Sequence, residues 1–194
     1  MSKSFHVIVA SLLLVSAVLG FIGIHSQSKR RSQPVFIPAV VVQVPALDQT
    51  NQQYVAALDV ARVFGRAPGC AEADAKLIGD VAKEALRVGL DPRILAATVA
   101  VESSCDSMAV SRRGAIGLVQ IMPKIWKGSF DFEHAINLFN PNDNLHAGAT
   151  ILSGLIKQYG LAEGVRHYNG TGTDCADCDS NYVPKILALA GRRS

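Results

Sequence analysis

Charge is sparse in this chain of 194 residues. Asp, Glu, Lys and Arg make up 18% of it, and the formal net charge is only +3. No Lys/Arg stripe interleaves with aromatics, which are scarce themselves at 6%, so no nucleic-acid surface is expected. There is no glycine-rich phosphate loop, which argues against a nucleotide site. There is no internal repeat and no strand-turn-strand series, which argues against solenoids and β-sandwiches. What remains is a mainly α domain. A hydrophobic content of 49% excludes disorder and a coiled coil, and the length allows one domain with a real core plus extensions.

Cysteine is also rare, with four residues: Cys70, Cys105, Cys175 and Cys178. No His-x₃₋₅-His accompanies them, so a zinc site is not expected. Cys175-x-x-Cys178 lacks the strand and helix context of a thioredoxin-like redox pair. An even count downstream of an export-like segment reads as disulfides in an oxidising compartment. Asp174, Asp177, Asp179 and Asn181 cluster but lack the sixth-position Gly and closing Glu of a calcium loop. No metal and no cofactor is expected.

Phe5 to Ile24 is a run of twenty residues without formal charge, long enough to span a bilayer. Residues 1–25 therefore read as a transmembrane anchor or a signal segment. The run exceeds the usual h-region of a signal peptide, and Val18-Leu19-Gly20 is a poor cleavage site. An uncleaved anchor is favoured, with cleavage left open. Lys29, Arg30 and Arg31 argue for a cytoplasmic C-terminal side, whereas the cysteines argue for the opposite. Residues 26–69 read as a linker and N-terminal extension, broken by Pro34, Pro38 and Pro45. Val40 to Val44 could be a strand between prolines. A weakly patterned helix over 49–64 follows Asp48 and stops at Gly65.

The compact domain is expected over residues 70–194. Leu77, Ile78, Val81, Ala85, Leu86 and Val88 form an apolar stripe in a helix over 71–88, closed by Gly89. Asp91 caps the next helix, with Pro92 at its first position. The short link makes an antiparallel hairpin, with Cys70 and Cys105 at the same end. Four cysteines allow three connectivities, and this placement favours Cys70–Cys105. Cys175–Cys178 would be a tight loop pair. Asn142 or Asp143 caps a long helix to Tyr159, and short helices come next over 161–168 and 182–190.

Glu102 ends the apolar run that starts at Ile94. On a helix, Ile94, Thr98 and Glu102 share one stripe. A carboxyl held against packed side chains loses hydration, so its pKa rises toward working pH, as a general acid requires. A Glu at a helix terminus is often just exposed at the last turn. The residues C-terminal to Glu102 decide between the two readings.

Four pieces stand in order: Glu102-Ser103-Ser104, Ser111, Gly114 to Pro123, and Tyr168-Asn169-Gly170, with Asn140 to Asn144 and Gly148 between the last two. Together they resemble the catalytic domain of lytic transglycosylases of the soluble type, relatives of goose-type lysozyme. The resemblance covers about residues 71–192. It implies a lysozyme-like helical fold with a groove for glycan strands of peptidoglycan. It implies cleavage of the β-1,4 bond between N-acetylmuramic acid and N-acetylglucosamine, leaving a 1,6-anhydromuramyl end. The site of action would be the periplasm or the extracytoplasmic face of the membrane. A secretion machine, a conjugation machine and a phage-lysis system are all compatible contexts.

By the same resemblance Glu102 is the single general acid and base. Ordinary glycosidases use two carboxylates, and only Asp106 and Glu133 are candidates for a second. Ser111 matches a serine near the acetamido group, and Gln120 and Met122 match residues beside the acid. Tyr168 and Asn169 match a pair across the cleft, whose tyrosine is held to orient the Glu. Tyr182 matches a tyrosine before the last helix. Each has a plainer reading: Ser111 a turn residue, Gln120 a surface amide, Met122 core filler, Tyr168 a core phenol. His167 reads as a helix-end residue. Trp126 could line a sugar subsite or simply pack. The family's Gly-Leu-Met-Gln is here Gly117-Leu118-Val119-Gln120. Its Ala-Tyr-Asn-Ala-Gly is here His167-Tyr168-Asn169-Gly170-Thr171. A hydrolytic muramidase and a non-catalytic wall-binding module remain the alternatives.

Overall fold

Asp48 starts the first helix by accepting a hydrogen bond from Asn51 N at 2.8 Å. A computed structural model describes residues 48–126, 137–170 and 180–192. Among them the chain forms seven α-helices and a 3₁₀ turn at Pro68–Cys70. The helices are α1 (Gln49–Phe64), α2 (Ala75–Val88), α3 (Pro92–Ser103), α4 (Pro123–Trp126), α5 (Pro141–Tyr159), α6 (Leu161–Tyr168) and α7 (Tyr182–Leu189). Isolated β-bridges are the only extended pairing among the described residues. The mainly α class expected from the sequence is the class observed.

The core forms around α3. Every residue from Ile94 to Ala100 is buried. A helix that is apolar on all sides needs neighbours on all sides, and α1, α2 and α7 pack against it. The one polar member of that stretch, Thr98, returns its hydroxyl to Ile94 O at 2.9 Å and so leaves no unpaired group. α5 packs on α2 and α6. Gly164 lets α6 approach closely, since a Cβ there would lie 2.6 Å from the Ile156 backbone.

Three sequence expectations shift. The helix expected from Ala71 begins at Ala75, because the Asp74 carboxylate takes Leu77 N at 2.7 Å and caps it there. The cap of α5 is Asn140, not Asn142 or Asp143. Pro141 fills the first helical position, and Asn140 Oδ1 accepts from Asn142 N and Asp143 N. Residues 49–64, read from the sequence as an extension, send Ala56, Val60, Val63 and Phe64 into the common core.

Cys70 and Cys105 are joined, 35 residues apart. The bridge ties the 3₁₀ turn to the chain leaving α3. Gly69 sits against Ser104, where a Cβ would lie 2.4 Å from Ser104 Cβ. Residues 5–24, Val40 to Val44, Glu133, the Cys175–Cys178 pair and the aspartates at 174, 177 and 179 lie outside the described residues. Among the described residues no helix is long and apolar enough to cross a membrane.

Candidate active site

Glu102 occupies the last turn of α3, the helix most fully embedded in the core. Directly after it the backbone turns sharply. Ser104 and Cys105 both adopt left-handed conformations, at φ 54° and 68°. Such conformations cost non-glycine residues of order 1–3 kcal/mol each and persist only where surroundings hold them. Here the bond from Cys105 to Cys70 and the contact of Ser104 with Gly69 do so.

The chain then doubles back in a loop that forms the opposite wall. Val110 bridges Ile116, and Ile116 bridges Ile121. Ser111 N donates to Ala115 O, and Ser111 Oγ accepts from Ala115 N, both at 3.0 Å. The Ser111 hydroxyl can still donate its own hydrogen. Gln120 sits at φ 50°, and its amide donates to Gly117 O at 3.0 Å and Ala109 O at 3.2 Å. Its Oε1 remains chemically able to accept. The turn reading of Ser111 is thus satisfied together with its place at the site.

One buried side chain anchors this loop to α5. Asn144 donates to Ile116 O at 2.8 Å and Leu138 O at 3.0 Å, and accepts from Val119 N at 2.9 Å. The fit leaves no space for a side chain at position 117. A Cβ there would lie 2.3 Å from Asn144 Nδ2, and its φ is +80°. One turn further along α5, Gly148 admits Val119, whose Cγ2 would be 2.2 Å from an added Cβ.

These elements enclose an open cleft of about 380 Å³. Glu102, Ser111, Gln120, Met122, Tyr168 and Asn169 all line it, so six of the seven residues singled out in the sequence converge. Trp126 and His167 line it too, with His167 stacked on Tyr159 at 4.1 Å. Sequence reasoning passed over Arg113 and Ile125 and placed Leu155 on the buried face of its helix; all three also border the cleft. Among the described residues, Glu102 is the only carboxylate in its lining. Asp106 instead accepts from Met108 N in an exposed turn.

The two tyrosines divide their work differently from the expectation. Tyr168 Oη donates to Val119 O at 2.8 Å and so ties α6 to the loop. The phenol that donates to Glu102 belongs to Tyr182, at 2.6 Å from Oε1. Tyr182 is buried at the start of α7, behind the acid and not on the cleft wall.

Burial pushes the Glu102 carboxyl up from 4.5 to about 7, against the opposing pull of the Tyr182 hydrogen bond. Burial likewise raises both phenols well above their ordinary value, so they stay protonated donors. A carboxyl poised near neutrality can both release and accept a proton at working pH.

The family model of the transglycosylase SLT domain matches residues 80–182, more than half of the chain. A transglycosylase of Enterobacteria phage PRD1 is 33% identical over 104 residues, 53% of this chain and 36% of that protein. An endo-type membrane-bound lytic murein transglycosylase A of Klebsiella pneumoniae is 33% identical over 75 residues, 34% of this chain and 36% of that protein. A membrane-bound lytic murein transglycosylase C of Actinobacillus pleuropneumoniae is 33% identical over 86 residues, 41% of this chain and 24% of that protein. The alignments thus span about a third of the first two relatives' length and about a quarter of the third's.

Proposed function

Because the chain belongs to the transglycosylase SLT domain family, we propose that it is a peptidoglycan lytic transglycosylase with Glu102 as sole acid and base. The observation that carries this reading is the Glu102 carboxyl itself, held by Tyr182 in a cleft and raised to about 7. The helical domain is consistent with a lysozyme-like fold, in which a glycan strand lies along the cleft.

The reaction needs one carboxyl group. With Tyr182 donating to Oε1, Oε2 carries the acidic proton. That proton passes to the glycosidic oxygen as its bond to muramic C1 breaks. The substrate's 2-acetamido group stabilises the positive C1. The Glu102 carboxylate then takes the proton of the C6 hydroxyl, whose oxygen attacks C1 of the same sugar. The nucleophile is intramolecular, so no second carboxylate is required to activate water. Ser111 and Gln120 would bind the acetamido side of the reacting sugar. Met122, Tyr168 and Asn169 would flank it, and Tyr182 positions the acid.

Action outside the cytoplasm belongs to the same reading. The Cys70–Cys105 bridge suits an oxidising compartment, and the apolar run at residues 5–24 would anchor or export the domain. The wall-opening contexts are secretion, conjugation or phage lysis.

The test is the product released from purified peptidoglycan by the full chain and by Glu102→Gln. Anhydro-muropeptides from the parent protein, and none from a folded variant, are expected. Products heavier by one water would identify a hydrolytic muramidase. Undiminished release by the variant would remove Glu102 from its role.

A further inference from the structure

α7 is pinned at its far end as well as at Tyr182. Gly191 adopts φ +70° just past the helix. Its N–H returns to Ala188 O at 3.1 Å, and the N–H of Arg192 returns to Leu187 O at 2.9 Å. This is the Schellman closure of a helix, which fixes the backbone of the residue after the glycine. Arg66 takes a third terminal carbonyl, donating from Nη2 to Leu189 O at 2.8 Å. From that fixed backbone the Arg192 guanidinium donates through Nη2 to Asp91 Oδ2. Asp91 is the N-cap of α3, whose last turn carries Glu102. The two helices therefore run antiparallel and are joined at both ends, by Tyr182 to Glu102 and by Arg192 to Asp91. Ile186, Leu187 and Ala190 are buried between those ends. Apolar burial is non-directional, so the polar pairs are the directional constraints on how far α7 sits along α3.

We propose that Arg192 is a positioning residue for the reaction: by holding the far end of α7 to the cap of α3, it fixes the register at which the Tyr182 phenol meets Glu102. This rests on the reading of Glu102 as the acid of peptidoglycan cleavage. A helix of eight residues is about 12 Å long and moves as a rod, so a shift at one end appears at the other. The bond at stake is 2.6 Å long, and hydrogen bonds weaken as length and angle leave their optimum. Asp91 does not need Arg192 for capping or for charge balance. Its cap bond comes from Arg93 N, and the Arg93 guanidinium already donates to both carboxylate oxygens. The second guanidinium is thus surplus to the cap and bears on α7. Tyr182 from α7 and Tyr168 from α6 are the titratable groups set against Glu102. Tyr168 is held separately, by Val119 O, so the clasp acts through Tyr182.

The experiment compares the full chain with Arg192→Met and Arg192→Lys, each with and without Tyr182→Phe. Anhydro-muropeptide release is measured at 20 °C from pH 4 to 10. Arg192→Met should lower kcat about two- to fivefold with KM unchanged, the range an ion pair of this exposure allows. The alkaline limb of its profile should move upward, because a weakened phenol bond favours the ionised acid less. Arg192→Lys keeps a charged donor and should recover most of the loss. In the Tyr182→Phe background Arg192→Met should change neither kcat nor the limb, because the bond it aligns is gone. A parent-like kcat and limb in Arg192→Met, or an equal loss in both backgrounds, overturns the proposal. So does a loss expressed in KM alone. Carbon-13 NMR titrates the Glu102 carboxyl directly and needs no turnover. Its pKa should be higher in Arg192→Met than in the parent. That rise alongside a parent that releases no anhydro product would fault the catalytic reading and leave the clasp standing. An unmoved titration alongside normal turnover would fault only the clasp.

Discussion

Tyr182 Oη lies 2.6 Å from Glu102 Oε1, joining residues 80 positions apart through a single hydrogen bond. The phenol opens α7 and the carboxyl closes α3, so the bond spans the two helices. It favours the ionised acid, while burial favours the neutral one, and burial wins.

Tyr182→Phe removes only the opposing hydrogen bond. The Glu102 pKa should then rise further above about 7. The alkaline limb of the pH–rate profile should shift upward, because the acid keeps its proton to higher pH. Lost positioning should lower kcat by roughly 10- to 100-fold. Anhydro-muropeptide release measured from pH 4 to 10 checks both; a downward shift of the limb would contradict the assignment.

Glu102→Gln should stabilise the fold at alkaline pH. A carboxyl with a raised folded pKa binds more protons in the native state between 4.5 and about 7. Native stability therefore falls as pH climbs through that window, by of order 3 kcal/mol at most. The neutral amide avoids this loss. Denaturant melts should show the variant gaining on the parent between pH 5 and pH 8, with little gain below pH 4.5.

Gly148→Ala should be harmful although alanine favours helices. The added methyl would meet Val119 Cγ2 at 2.2 Å and Tyr168 Oη at 3.1 Å. Overpacking of this kind costs about 1–3 kcal/mol, against the roughly 1 kcal/mol that glycine forfeits in a helix. A net loss in urea unfolding is expected, with activity falling more than stability. A more stable and fully active variant would show that the loop yields easily.

Loss of the Cys70–Cys105 bond should cost about 2–4 kcal/mol, given its span of 35 residues. Ser104 and Cys105 would also be released from their left-handed conformations, two and three positions past Glu102. Cys70→Ala with Cys105→Ala should therefore lower the melting temperature and reduce turnover even well below the melt. Calorimetry and initial rates at 20 °C separate the two effects.

Asp91→Asn tests the charge at the start of the helix that carries Glu102. Burial pushes the Asp91 carboxyl up, but hydrogen bonds from Arg93 and Arg192 outweigh it and bring it down to about 2. A depressed carboxyl stabilises the fold above its ordinary 3.8, and that share is lost as pH falls to about 2. Asparagine keeps the cap but not the charge. The partly exposed arginines limit the deficit to about 1–2 kcal/mol at pH 7, and it should vanish near pH 2.

Much of the fold was legible because the signals are local. Asp48, Asp91 with Pro92, Gly89 and Gly160 punctuate the helices in ways that depend only on neighbouring residues. The cleft residues were legible through their order along the chain. Other features depend on distant partners. Exposed Tyr54, Val55 and Leu58 dilute the buried stripe of α1 and hide its place in the core. Nothing near Tyr168 or Tyr182 says which phenol meets the acid. Asn140 and Asn144 look alike in an Asn-rich run, yet one caps a helix and the other anchors a loop 25 residues away.

Val119 departs from the family's methionine, and its own bonds explain why that exchange is tolerable. Its N–H goes to Asn144 and its carbonyl takes the Tyr168 phenol. Both attachments run through main-chain atoms, which every amino acid other than proline supplies alike. Variation at this position is therefore limited by the width of the slot above Gly148 and by full burial, and a library at residue 119 should retain only apolar side chains small enough for that slot.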